Sequence, residues 1–93
     1  MKRTIKSPLR DVLARNMRLL RAERGWSQEY LAAEAGLNRT YLSAVERSEQ
    51  NISLDNIYKI AVAFRTPAGA LLNPDLETGT IGDAAQVSKT VRE

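Results

Sequence analysis

Arg39, Thr40, Ser43, Ala44 and Arg47 carry the chemistry that this chain of 93 residues has to offer. At helical spacing they share one outward face, polar, basic and without acid, although acids are common elsewhere on the chain. Arg39 presents a planar fork of donors that matches the O6 and N7 acceptors of a guanine edge. Thr40 and Ser43 can bond to bases or phosphates, and the Ala44 methyl suits the methyl of thymine. Gln28 opens a preceding helix, where its amide and the free backbone N–H groups together suit a phosphate. The implied chemistry is hydrogen bonding to a nucleic acid, not the making of bonds.

Composition narrows the alternatives. The chain has no cysteine and no histidine. That removes disulfides, thiolate metal sites, the commonest general base and any catalytic triad. Glu29, Glu34 and Asp55 are the carboxylates to weigh for acid–base work. No nucleophile–base pair, phosphate-cradling glycine loop or metal-ligand spacing converges with them, and exposed helical carboxylates are the simpler account. No enzyme activity, metal, cofactor or small-molecule ligand is expected. No apolar run approaches the roughly 20 residues of a membrane span, and Met1–Ser7 lacks the apolar stretch of a signal peptide. The expectation is a cytoplasmic, nucleoid-associated protein without a membrane partner. Charge is uneven: residues 1–47 hold ten Lys and Arg against five Asp and Glu, and residues 48–93 hold four against six. A basic front half fits an electrostatic footprint for phosphate.

Five helices must position these groups. Ser7 and Pro8 read as N-cap and first residue of a helix running to about Glu23, with Leu9, Leu13, Met17 and Leu20 on one face. Arg10, Arg15, Arg18 and Arg24 would be its solvated side. Gly25 closes it in the left-handed conformation that ends helices. Ser27 caps a second helix, with Trp26 and Leu31 placed as a hydrophobic staple and Leu31, Ala32 and Ala35 facing inward. Gly36 makes the turn, and Asn38 caps a third helix to about Arg47, held by Leu42 and Val45. Small residues at the crossing and a glycine in the turn are the spacing of a helix-turn-helix, which lays its second helix in the DNA major groove. Ser53 caps a fourth helix with Leu54, Ile57, Ile60, Ala61 and Phe64 as its core face. Thr66 and Pro67 read as cap and first residue of a short fifth helix to about Leu72, which Asn73 and Pro74 end. Residues 1–7 form a basic arm, residues 8–73 the domain and residues 74–93 a flexible tail, with a marginal helix from Asp83 to Val91. The expected fold is an all-α, compact five-helix bundle.

The strings RAERGWSQEYLA, AGLNRTYLSAVER and SLDNIYKIA carry a family likeness. From Leu13 to about Leu72 the chain resembles the helix-turn-helix domain of Cro and phage-repressor regulators, the xenobiotic-response-element family with its lambda-repressor-like fold. Through Asn38-Arg39-Thr40-Tyr41 and Asn51-Ile52-Ser53-Leu54 it is most similar to the controller proteins of restriction–modification systems. The resemblance implies roles by position: Gln28 for a phosphate, Arg39, Thr40 and Ala44 for bases, and Asn38 and Arg47 for flanking phosphates. It also implies an internal ion pair between Arg21 and Glu46. Ser27, Tyr41 and Asn51 complete the expected phosphate set, although Tyr41 stays open between packing on the backbone and reaching DNA. Where many such domains carry glycine after the Glu-Arg pair, this chain has Ser48. A left-handed backbone there costs about 1–2 kcal/mol, unless the loop takes another shape.

The function expected is a transcription regulator, a homodimer on a roughly palindromic operator in double-stranded DNA. Phe64, Leu71 and Leu72 are the candidate dimer surface. Two alternatives remain beside it: an antitoxin that binds a toxin through the tail, and a protein-interaction module without DNA readout.

Overall fold

The computed structural model describes residues 6–77, and residues 1–5 and 78–93 lie outside it. Lys2 and Arg3 of the basic arm and the expected helix Asp83–Val91 therefore fall outside the described residues.

Within them the chain forms α1 (Leu9–Arg24), α2 (Gln28–Ala35), α3 (Arg39–Glu46), α4 (Leu54–Phe64) and α5 (Ala68–Leu71). The all-helical fold is as the sequence predicts, and local chemistry accounts for most boundaries. Ser7 Oγ accepts from the Leu9 N–H at 3.0 Å, and Pro8 already has helical torsions. Ser27, Asn38 and Ser53 cap α2, α3 and α4 by accepting from the N–H groups of Tyr30, Tyr41 and Asn56 at 2.9, 3.1 and 3.1 Å. Each satisfies one donor that the first helical turn leaves open. Gly25 and Gly36 close α1 and α2 at φ 69° and 70°, a region that glycine enters without a Cβ clash.

Leu13, Met17 and Leu20 of α1 meet Leu31, Ala32 and Ala35 of α2, Leu42 and Val45 of α3, Ile57, Ile60, Ala61 and Phe64 of α4, and Leu71 of α5. α1 packs against α3 and α5, α2 against α3 and α4, and α4 against α5. Trp26 is half-buried, stacked on Phe64 with ring centroids 5.5 Å apart and edge-on to Tyr30 at 4.8 Å.

Several expectations are corrected. Leu9 and Leu54 are exposed, not core. Both are the first residue of their helix, where the turn that would cover them has not yet begun. Phe64 and Leu71 are fully buried, so of the three residues expected at a dimer surface only Leu72 is partly accessible. The reason is packing: α5 folds back on α4 and α1 and consumes these side chains within one chain. Thr66 does not cap α5. Its hydroxyl donates to the Phe64 carbonyl at 3.2 Å, Pro67 is extended, and the helix starts at Ala68. The arginines of α1 are not simply solvated either. Arg15 bonds to Asn16 and the Pro74 carbonyl, Arg18 donates to the Glu46 carbonyl at 2.6 Å, and Arg24 lies over the Trp26 and Phe64 rings.

Candidate nucleic-acid interface

The α2–α3 pair needs a close crossing and a fixed angle. Ala32 and Ala35 are buried at the crossing, and after Gly36 the Leu37 N–H returns to the Ala32 carbonyl at 2.9 Å. The angle is held by one buried acid. The Glu46 side chain is 2% exposed and accepts three hydrogen bonds. Arg21 supplies two, Nε to Oε2 at 2.7 Å and Nη2 to Oε1 at 2.8 Å. Gln28 supplies the third, Nε2 to Oε1 at 2.9 Å. Arg21 also donates to the Trp26 carbonyl at 2.9 Å. One carboxylate thus ties α1, α2, α3 and the loop before α2 together, in the fork geometry that suits arginine and carboxylate. The Glu46 hydrogen bond raises the Arg21 pKa; burial opposes this, and the Glu46 charge adds to it. Because the folded state holds the Arg21 proton more tightly than the unfolded chain, this guanidinium's contribution is lost only as pH rises through the raised arginine pKa, in strong alkali.

Burial of Leu42, Val45 and Glu46 turns the rest of α3 outward. Arg39 and Thr40 are exposed in its first turn, and neither side chain has a hydrogen-bond or ion-pair partner among the described residues. The five guanidinium donors of Arg39 are thus open to a ligand. Ser43 and Ala44 are half-buried on the same side. The Ser43 hydroxyl accepts from Arg47 Nη1 at 2.6 Å, and Arg47 also pairs with Glu49 at 3.1 Å. The face expected to lack acid therefore has Glu49 at its edge.

The expected phosphate residues surround α3 but are unequally free. Ser27 and Asn38 are exposed caps whose acceptor oxygens already serve their helices. Gln28 gives one amide hydrogen to Glu46 and keeps the other. Tyr41 packs against the core, and its hydroxyl accepts from Asn56 Nδ2 at 3.1 Å. Asn51 is exposed in the loop after α3. That loop starts at Ser48, which is left-handed at φ 64°. The Ser48 N–H bonds to the Val45 carbonyl and the Glu49 N–H to the Ala44 carbonyl at 3.0 and 2.9 Å. This is the closure that glycine usually makes, here carried by serine at the steric cost anticipated for it.

Sequence reasoning passed over Asn16. It is fully buried and donates to the Leu71 and Asn73 carbonyls at 2.9 and 2.8 Å, closing the end of α5 against α1. The signal was present, because Asn16 falls three residues after Leu13 and four before Leu20, inside the apolar stripe.

Comparison with known proteins gives the same helix-turn-helix fold. A family model described as helix-turn-helix matches residues 17–71. The Neisseria hypothetical transcription factor of Neisseria meningitidis serogroup B (strain ATCC BAA-335 / MC58) is 58% identical over 69 residues, 74% of this chain and 65% of that protein. The chain thus spans just under two thirds of that relative's length. Control protein C.SmaI of Serratia marcescens is 41% identical over 64 residues, 69% of this chain and 76% of that protein. The crystal structure of the restriction-modification controller protein C.AhdI from Aeromonas hydrophila aligns with a TM-score of 0.65 at 40% identity, covering 67% of this chain and 94% of that one.

Proposed function

The chain belongs to the helix-turn-helix family of the Cro and phage-repressor type, and from that premise we propose that it is a homodimeric regulator of transcription that reads a roughly palindromic operator in double-stranded DNA. Its relatives are named as transcription factors and controller proteins, not enzymes. Each subunit lays α3 in the major groove of one half-site, with half-sites about 34 Å apart. The observation that carries this reading is the pair Arg39 and Thr40: exposed, without a partner among the described residues, and on a helix whose inner face is locked by Glu46.

Arg39 takes the purine edge, and Thr40, Ser43 and Ala44 complete the base-reading set. Ser27, Gln28, Asn38, Tyr41, Arg47 and Asn51 set the register on phosphates. Arg47 exchanges Glu49 for phosphate on binding. Gln28 contributes twice, with one N–H on Glu46 and one toward the backbone of the DNA. Among the described residues no helix is long and apolar enough to cross a membrane. The place of action is the cytoplasm, where the operator DNA lies.

Equilibrium binding of two variants to the operator and its single-base variants tests the assignment. Arg39→Ala loses about 1–3 kcal/mol of discrimination at one base pair per half-site. Arg47→Ala weakens every sequence alike and lowers the salt slope by about one. Equal, sequence-independent losses in both variants contradict the base-reading role of Arg39.

A further inference from the structure

The outer side of α4 carries three large apolar side chains in a line. Leu54, Tyr58 and Val62 are 80%, 64% and 54% exposed. Their spacing of four residues stacks them along one side of the helix. The core side of α4 is made by Ile57, Ile60, Ala61 and Phe64, so the line is surplus to the packing among the described residues. At its N-terminal end an open groove of about 250 Å³ lies between Leu9, Ile52, Leu54 and Leu72. A contiguous apolar surface of this kind marks a docking site.

Charge identifies the occupant. Asp55 and Lys59 run beside the apolar line one turn apart, and neither forms an ion pair among the described residues. A flank with one negative and one positive charge is complementary to itself when two copies meet antiparallel. Asp55 of each copy then faces Lys59 of the other, as an isologous contact requires. The same register sets Tyr58 near the axis and carries each Val62 toward the groove beside the partner's Leu54.

We infer that α4 is the surface through which two copies of this chain pair, antiparallel about a two-fold axis near Tyr58. The inference rests on the homodimer proposed above and supplies the surface that Phe64 and Leu71 cannot. Leu72 lies at its edge. A face of one eleven-residue helix is a small interface, below about 1,200 Å² in total. The dimer is therefore reversible, and operator occupancy follows protein concentration.

Sedimentation equilibrium of the full chain, from micromolar to millimolar concentration, tests this. Wild type is expected to dimerise reversibly. Tyr58→Glu sets two like charges against each other at the axis and weakens the dimer at least about 100-fold. Asp55→Lys and Lys59→Asp each place like charges across the axis and weaken it about tenfold. Mixed together, these two charge variants form a heterodimer as tight as the wild-type dimer, which an effect confined to one helix cannot produce. Far-UV circular dichroism reports that each variant is folded, as expected for exposed positions. Wild type that stays monomeric removes the homodimer and this inference together. A wild-type dimer that Tyr58→Glu leaves intact, or charge variants that mixing does not restore, overturns the α4 surface and leaves the homodimer on another face.

Discussion

Replacing Arg21 by alanine strips the buried acid at the centre of the helix pair. In the Arg21→Ala variant Glu46 loses the guanidinium bonds of 2.7 and 2.8 Å and keeps the Gln28 amide at 2.9 Å. Its side chain is 2% exposed, so solvent reaches it poorly even in the variant. A buried charge deprived of its partner costs roughly 3–5 kcal/mol. The Arg21 side chain is itself 20% exposed, and the space it vacates admits some water, which favours the lower end, about 3 kcal/mol. At about 0.05–0.15 kcal/mol per residue, a domain of this size has a total stability of about 5–14 kcal/mol, so this loss is about a fifth to two thirds of the whole. Urea unfolding followed by circular dichroism should show a lower midpoint with an unchanged slope. The paired replacement Arg21→Met with Glu46→Leu removes the charge together with its partner and should recover most of the loss. A loss under about 1 kcal/mol, the value of an exposed ion pair, refutes the reasoning. So does a double variant no more stable than Arg21→Ala.

Two further perturbations probe the frame around the interface. Asn16→Ala leaves the Leu71 and Asn73 carbonyls without their donor. The expected loss is about 2–3 kcal/mol, seen by calorimetry as a fall in Tm of roughly 10–20 °C, and an unchanged Tm contradicts the role given to Asn16. Ser48→Gly relieves a left-handed strain of about 1–2 kcal/mol and adds about 0.5–1 kcal/mol of chain entropy, for a net gain of about 0.5–1 kcal/mol. A rise in Tm of a few degrees is expected. A fall would mean that the 3.4 Å bond from Ser48 Oγ to the Arg10 carbonyl matters more than the strain.

What was legible in the sequence was local. Ser27, Asn38 and Ser53 announce helix starts because a short polar side chain satisfies a neighbouring N–H. Gly25 and Gly36 announce ends because the left-handed turn excludes most other residues. Arg21 and Glu46 were found through family likeness, and the structure gives the reason for the pair: a carboxylate on the inner face of α3 needs a fork of donors. Periodicity failed where it counts apolar residues without knowing which side is covered. Leu54 keeps helical spacing with Ile57 and Ala61 yet projects from the first turn of α4, beyond the packed side. Phe64 and Leu71 seemed surplus only because the return of α5 onto α1 and α4 is a tertiary fact. Arg18 and Arg15 looked like solvated charge, since nothing in their spacing shows that a carbonyl from a distant segment lies within reach.

The proposed base-reading face stands on a different footing from the frame. Its first-turn residues Arg39 and Thr40 are exposed, so packing does not dictate them, and the proposed operator is the partner that would explain them. Selection of a randomised double-stranded DNA pool by the full chain at about 0.15 M salt, followed by sequencing, tests this most directly. The account predicts an enriched inverted repeat whose half-site centres lie one helical turn or a multiple apart. A pool that stays unenriched, with only weak and salt-sensitive binding, would contradict it. The basic face would then supply non-specific attraction alone.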